Sequence, residues 1–149
     1  MRNNKQKLKA LLCCTLVSAI MLLLPAAALA EIAIIVNNSN NLSSITAEQA
    51  TALWLGKTKS VGDSEILKPI DLPEGNAIRD EFYKKVANKN PTQLKVYWRK
   101  QVFTGRAFPP DTVDNTDEVK KWVSANSNGV GYIDAASVDS SVKVLLKID

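Results

Sequence analysis

Beyond residue 30, the spacing of apolar and polar positions changes several times along the chain, and each change predicts an element. Residues 31–36 are a short, almost unbroken apolar run, which is typical of a buried β-strand. Similar runs at 66–70, 130–133 and 142–146 predict three further strands. Pro69 lacks a backbone N–H, so it indicates that the strand over residues 66–70 lies at a sheet edge.

Four other segments carry apolar residues three and four positions apart, as on one face of a helix. The residues expected to face inward are Ala47, Ala50, Leu53 and Trp54, then Ile78, Phe82 and Val86, then Leu94, Tyr97, Trp98 and Val102, and last Val119, Trp122 and Val123. Thr46 with Gln49 forms a capping box at the start of the first helix. Asn115 with Glu118 forms another at the start of the fourth, and Thr92 is expected to cap the third. The order β-α-β-α-α-α-β-β predicts an α/β domain, with a mixed sheet flanked by about four helices.

The first thirty residues have a different composition. Four basic residues among the first nine precede an apolar run over 10–24, Pro25 ends that run, and Ala28-Leu29-Ala30 offers small residues to a signal peptidase. This pattern predicts a cleavable signal peptide over residues 1–30 and one domain over residues 31–149. The alternative is an uncleaved membrane anchor, since a bilayer span needs about 20 apolar residues; the interruption at Pro25 disfavours it. We therefore expect a periplasmic protein with no membrane insertion after cleavage.

Loss of the leader changes the charge balance. The whole chain has 19 Lys and Arg against 15 Asp and Glu, and four of the basic residues leave with residues 1–30, so fifteen of each sign remain. A net charge of zero offers no general footprint for nucleic acid or an anionic membrane, and any anion affinity must be local. Cys13 and Cys14 lie inside the leader. Leu12, rather than a small residue, precedes them, so lipid attachment is not expected.

The rest of the chain lacks the side chains most often used in catalysis. It has no His and no Cys, which removes the commonest general base, a common metal ligand and the strongest nucleophile. Gly56-Lys57-Thr58 is not a phosphate loop, because Thr51 stands where the first Gly is needed. The acidic residues at 111–118 lack the mid-loop Gly and distal Glu of a calcium loop, and helix capping explains them. We expect a protein that is not an enzyme and that uses neither a metal nor a cofactor.

The start of the second helix is the best candidate for a binding site. Gly75, Asn76 and Ala77 carry backbone N–H groups at the positive end of the helix dipole, where an anion is favoured. Arg79 can donate two parallel hydrogen bonds to a phosphate or carboxylate, and Arg106 is a second candidate for the same pocket. The alternative is an ordinary helix start, in which Asn76 is the cap and Arg79 pairs with a surface acid.

Several short motifs follow one another in a recognisable order. They are Ile35-Val36, Ser44-Ile45-Thr46, residues 53–59, Leu72-Pro73-Glu74-Gly75-Asn76 with Arg79 and Phe82, Tyr97-Trp98, residues 103–106, Pro109-Pro110 and residues 128–133. Together they resemble the substrate-binding proteins of phosphate ABC transporters, in the type 2 periplasmic-binding superfamily. The resemblance covers nearly the whole domain. It implies a single lobe of a type 2 periplasmic-binding fold, because full-length family members have two lobes that trap the anion between them.

The resemblance implies weak binding of phosphate or a similar oxyanion, linked to phosphate ABC transport. In the family the anion sits on a Gly loop with hydroxyl residues, whereas here Asn76 and Ala77 follow Gly75. The strand before the loop ends in Asp71, an anion where the family has an Arg. We therefore expect a dissociation constant of about micromolar to millimolar. The alternative is a ligand-free accessory module of the cell envelope that binds an envelope protein or itself. Tyr132 is the one aromatic side chain expected at the rim of the cleft.

Overall fold

The computed structural model describes residues 31–63 and 66–149, so the predicted signal peptide lies outside the described residues. The elements in chain order are β1 (Ile32–Asn37), α1 (Ala47–Trp54), β2 (Lys68–Asp71), α2 (Ala77–Ala87), α3 (Pro91–Phe103), β3 (Asp111–Thr112), α4 (Thr116–Ala125), β4 (Gly129–Asp134), a 3-10 turn (Ala135–Ser137) and β5 (Val142–Ile148). Within these two ranges, no helix has the length and apolar character needed to cross a membrane.

The five strands form one sheet in the order β3-β2-β4-β1-β5. β2 is parallel to β3 and β4, whereas β1 lies antiparallel between β4 and β5. The predicted α/β fold with a mixed sheet and four helices is confirmed. β2 is an internal strand, so the edge position inferred from Pro69 is wrong. Proline is tolerated there because β3 pairs only with Ile70 and Asp71 and leaves the outer side of β2 without a partner strand at Pro69.

Different helices cover the two faces of the sheet. Adjacent strand residues point to opposite faces, and in β4 Tyr132 stacks on Phe82 of α2 with ring centres 3.9 Å apart. Trp54 of α1 contacts both of these rings edge-on, which completes an aromatic layer. On the other face Gly131 lies under α4, where an added Cβ would come within 2.5 Å of Val119 Cγ1. The absence of a side chain at this glycine lets α4 pack close to the sheet.

The start of α3 differs from the sequence-based prediction. Its N-cap is Asn90, which forms a capping box with Gln93, and Pro91 is the first helical residue. The Thr92 cap is therefore wrong. Proline suits the first helical position because the N–H it lacks would have no partner inside the helix, a signal that outweighs the weaker hydroxyl cap.

The described residues enclose α3 on one side only. Leu94 and Trp98 are buried and Tyr97 is half-buried, but Val102, predicted to face inward, is exposed. The Tyr97 hydroxyl donates to the backbone oxygen of Leu55 at 2.7 Å and so joins α3 to the end of α1. α3 consequently keeps an outer face that the described residues do not cover.

Candidate functional site

Asp71, the last residue of β2, is a buried carboxylate surrounded by hydrogen-bond donors. It is 2% exposed. Its Oδ1 accepts from the backbone N–H of Leu72 at 2.8 Å and from the hydroxyl of Tyr132. Its Oδ2 accepts from the hydroxyl of Tyr83 at 2.8 Å and from Arg79 Nε at 3.4 Å. These donors offset the cost of removing the carboxylate from water. Tyr132 is thus a core residue and does not lie at the rim of a cleft as predicted.

The two phenols are held in their protonated form. Burial raises the pKa of Tyr83 and of Tyr132 well above the usual value near 10, and the negative charge of Asp71 raises both further. At neutral pH both hydroxyls therefore remain donors to the carboxylate.

Arg79 lies in the first turn of α2 and is only 7% exposed. Its Nε faces Asp71 Oδ2, and its guanidinium carbon lies 5.2 Å from the centre of the Tyr83 ring, a cation–π arrangement. Arg79 therefore pairs with an acid, as in the alternative prediction for this helix start, but that acid is Asp71 at the buried end of β2 and not a surface residue. None of the described residues accepts a hydrogen bond from its two terminal nitrogens, which leaves their N–H donors unused.

The turn into α2 has the predicted cap. Gly75 has a φ of +85°, a left-handed conformation that suits glycine. Asn76 is the N-cap, and its Oδ1 accepts from the backbone N–H of Ile78 at 2.9 Å and of Arg79 at 3.4 Å. The N–H of Asn76 itself is bonded within the preceding turn at 3.2 Å. Of the three amides expected to bind an anion, those of Gly75 and Ala77 have no acceptor among the described residues.

A cavity of about 280 Å³ separates this turn from the first two turns of α3. It is lined by Glu74, Gly75, Arg79, Asp80, Pro91, Thr92, Leu94, Lys95 and Trp98. At its rim Lys95 Nζ lies 3.9 Å from a Glu74 carboxylate oxygen, and both side chains are mostly exposed. Solvent screens such a pair, so it contributes little to the chemistry of the site.

Trp98, which also lines the cavity, carries a buried donor without a partner in the described part of the chain. The side chain is 7% exposed, and its indole Nε1 is buried without a hydrogen-bond partner among the described residues. The Cη2–Cζ3 edge of the indole faces Gly56, so Nε1, on the opposite edge, points away from that glycine. Buried polar groups are nearly always hydrogen-bonded, so this Nε1 is a donor that the described residues leave without an acceptor.

The structure does not bring Arg106 to the cavity that Arg79 lines. Arg106 follows α3 and borders a larger cavity of about 500 Å³, together with Lys68 and the mainly apolar residues 107–110. Lys68 is already paired with Asp111 at 3.4 Å. The predicted pair of arginines is therefore divided between two cavities.

The acidic segment between β3 and α4 makes surface contacts. Glu118 pairs with Lys121 at 3.2 Å, and Asp117 and Glu118 lie in the first turn of α4, where the helix dipole favours negative charge. In the described part of the chain, no group of three potential metal ligands is placed to hold an ion.

The sequence pattern does not predict two residues of the site, Trp98 and Tyr83, as site residues. Trp98 fits the apolar face of α3, and the spacing of apolar residues does not indicate whether its Nε1 has a hydrogen-bond partner. Tyr83 lies outside the predicted apolar face of α2, but it stands four residues after Arg79. That spacing places the two side chains together on a helix and was the available signal.

The fold is similar to that of solved transport receptors. A Clostridium perfringens protein, described as a phosphate ABC transporter substrate-binding protein with bound phosphate, matches with a TM-score of 0.62 and 23% identity over 78% of this chain and 45% of that one. An ABC-type phosphate transport receptor from Vibrio cholerae matches with a TM-score of 0.60 and 22% identity over 78% and 46%. PstS from Borrelia burgdorferi matches with a TM-score of 0.59 and 15% identity over 78% of this chain and 47% of that one. No protein-family model and no curated protein sequence matches the chain.

These matches confirm the predicted resemblance at the level of the fold. The chain spans slightly less than half the length of each solved structure, so its fold corresponds to one portion of a longer binding protein. The similar structures are binding proteins and not enzymes. At these identities the likeness concerns the fold, and a ligand for this chain must be argued from its own residues.

Proposed function

We propose that this protein is an exported, periplasmic binding protein with low affinity for phosphate or a similar oxyanion. The observation that carries the proposal is the cavity wall formed by Arg79, Gly75 and Trp98. The terminal nitrogens of Arg79, the N–H of Gly75 and the Nε1 of Trp98 donate to no described residue. An oxyanion offers only acceptors, so it supplies the partners that these donors lack.

Binding would replace the hydration of the anion by donors that are already in position. Asp71 and Tyr83 hold the guanidinium of Arg79 from two sides, so that group loses little freedom when a ligand arrives. The positive end of the α2 dipole, at Gly75, adds a favourable field.

The same arrangement limits the affinity. Asp71 already neutralises the charge of Arg79, and Asn76 occupies two of the amides at the helix start. Glu74 and Asp80 place two further carboxylates at the cavity and repel an anion. We therefore expect a dissociation constant of about micromolar to millimolar.

Export and a non-catalytic role rest on the sequence. The basic, apolar and small-residue pattern of residues 1–30 is that of a secretory leader. A domain without His or Cys has neither of the side chains most used for proton transfer and nucleophilic attack. We propose that residues 31–149 are the working form and that they bind without chemical conversion.

A second candidate function is the ligand-free accessory module that binds an envelope protein or another copy. The observation that favours it is the helix start itself, where Asn76 and Asp71 already satisfy groups that an anion would need. An absence of any phosphate-dependent rise in the melting temperature would favour this second function.

Thermal unfolding in sodium phosphate, compared with sodium chloride of equal ionic strength, tests the proposal. A ligand that binds only the folded state raises the melting temperature as its concentration exceeds the dissociation constant. Trp98→Phe removes the indole N–H but keeps an aromatic ring, so we expect a smaller phosphate-dependent rise. Trp122→Phe, at a half-buried position that does not line the cavity, is the matched control and should keep the wild-type rise.

The choice of Trp98 avoids a folding artefact. Arg79→Ala would leave the buried carboxylate of Asp71 without its cation, at a cost of about 3–5 kcal/mol. No rise in the wild type at high millimolar phosphate would reject the proposal. Equal rises in the wild type and Trp98→Phe would reject the assigned cavity.

A further inference from the structure

The charges of the domain are unevenly distributed. Residues 82–110 contain seven basic residues and no acidic one, although residues 31–149 carry equal numbers of each sign. The segment covers the end of α2, all of α3 and the loop that follows it. Arg99, Lys100 and Arg106 form no ion pair with a described residue, so their charge is available to a partner.

One face of α3 is exposed along its length. The side chains on this face are those of Val96, Arg99, Lys100 and Phe103, and all four are exposed. Their spacing of three and four residues places them side by side on a helix. Leu94 and Trp98, on the opposite face, are buried against the molecule. We call the four residues the outer face of α3.

Large apolar side chains protrude from this outer face and from the adjoining loop. Phe103 is 91% exposed, Phe108 71% and Val96 59%. Five large apolar side chains are exposed in the described part of the chain, and four of them fall within residues 96–108. Apolar side chains concentrated in one region, next to charged residues, mark an interaction surface rather than ordinary scatter.

We propose that the outer face of α3 docks the protein on an anionic lipid bilayer. Lys100 and Arg99 match the headgroup phosphates, while Phe103 and Val96 reach the apolar boundary beneath them. A bilayer has no fixed shape, so it accepts apolar side chains that protrude singly beside cations. The proposal rests on different side chains from the oxyanion cavity and does not depend on it.

Co-sedimentation of the secreted protein with vesicles tests this inference. We expect binding to phosphatidylcholine vesicles that contain phosphatidylglycerol, little binding to phosphatidylcholine alone, and weaker binding as salt increases. Arg99→Gln with Lys100→Gln should weaken binding roughly twenty-five-fold, because each cation near such a surface contributes about fivefold. The control pair, Lys121→Gln with Lys147→Gln, removes two exposed cations from α4 and β5 and should bind as the wild type does.

The apolar contribution is tested separately. Phe103→Ser should weaken vesicle binding by roughly tenfold, whereas Phe103→Leu should retain most of it. Phe103 is so exposed that neither variant should alter the melting temperature, which serves as the folding check.

Three results would overturn the proposal. They are equal binding to neutral and anionic vesicles, no binding to either, and equal weakening by the control pair. Analytical ultracentrifugation without vesicles supplies a fourth: self-association abolished by Phe103→Ser would identify a second copy of the chain as the occupant of the outer face.

Discussion

The carboxylate of Asp71 accepts hydrogen bonds from two phenols, a backbone N–H and a guanidinium, so the charge of Arg79 is matched inside the protein before any ligand arrives. An oxyanion at the cavity gains little from net charge and must rely on the unused N–H donors. Hydrogen bonding, rather than long-range attraction, is therefore the basis of the proposed selectivity for oxyanions.

The buried phenols make the stability of the fold sensitive to alkaline pH. Tyr83 and Tyr132 have a raised pKa in the folded state, so their contribution is complete below about pH 10 and decreases as pH rises beyond it. The unfolded chain loses these protons first, and the free energy of unfolding should decrease by about 1.4 kcal/mol per pH unit for each phenol. Urea unfolding between neutral and strongly alkaline pH measures this slope.

Tyrosinate absorbance is the accompanying control. We expect the tyrosinates of Tyr83 and Tyr132 to appear late and together with unfolding, whereas the half-buried Tyr97, whose pKa burial also raises, can ionise in the folded protein. Ionisation of all three tyrosines near pH 10 in a protein that remains folded, with constant stability, would contradict the assigned burial of Tyr83 and Tyr132.

The sequence predicted individual residues at the site better than their contacts. The sequence indicates the turn at Gly75, the Asn76 cap and the acidic residue Asp71 at the end of the strand. The phenol of Tyr132 was not, because it reaches Asp71 from a strand 61 residues further along the chain. Contacts of this kind depend on strand order, which no local pattern contains.

At the scale of elements, the start of α3 is set by Asn90 and Pro91 and not by the predicted cap, Thr92. Asn90 and Pro91 start the helix two residues before the hydroxyl of Thr92. The first turn of α3 also lines the cavity, so the cap fixes where Trp98 stands relative to Arg79.

Alanine substitutions at the two possible caps measure this directly. Asn90→Ala should lower the free energy of unfolding by about 1 kcal/mol, because it leaves the Gln93 N–H without its acceptor. Thr92→Ala, the matched control, should change it by less than about 0.5 kcal/mol, since Thr92 lies inside the helix and is exposed. Urea unfolding of both variants gives the comparison, and a larger loss for Thr92→Ala would contradict the observed cap.

The predicted helices and strands are all present, and the two errors in the sheet have one cause. β3 has only two residues and lies in a stretch that carries no strand pattern, so it forms because β2 offers it a partner. β2 is internal for the same reason, because β3 pairs with its outer side. Apolar periodicity predicts a strand from its own residues, whereas pairing depends on residues far away in the sequence.

For the whole molecule, α3 links the two proposed surfaces. Its inner side contributes Trp98 to the oxyanion cavity, and its outer face carries Arg99, Lys100 and Phe103. A bilayer and an oxyanion can therefore occupy opposite sides of one helix. The net charge of zero did not reveal the outer face, because it averages the basic stretch of residues 82–110 with acidic residues elsewhere.

A phosphate titration followed by ¹H–¹⁵N NMR tests the central claim, that unpaired donors at the cavity bind an oxyanion. The three tryptophans give three indole N–H signals. The account predicts that the Trp98 indole and the Gly75 amide shift with phosphate. The Trp54 indole, bonded to the Ile70 oxygen at 3.2 Å, and the Trp122 indole should not. Unchanged Trp98 and Gly75 signals at high millimolar phosphate, or equal small shifts in all three indoles, would contradict it.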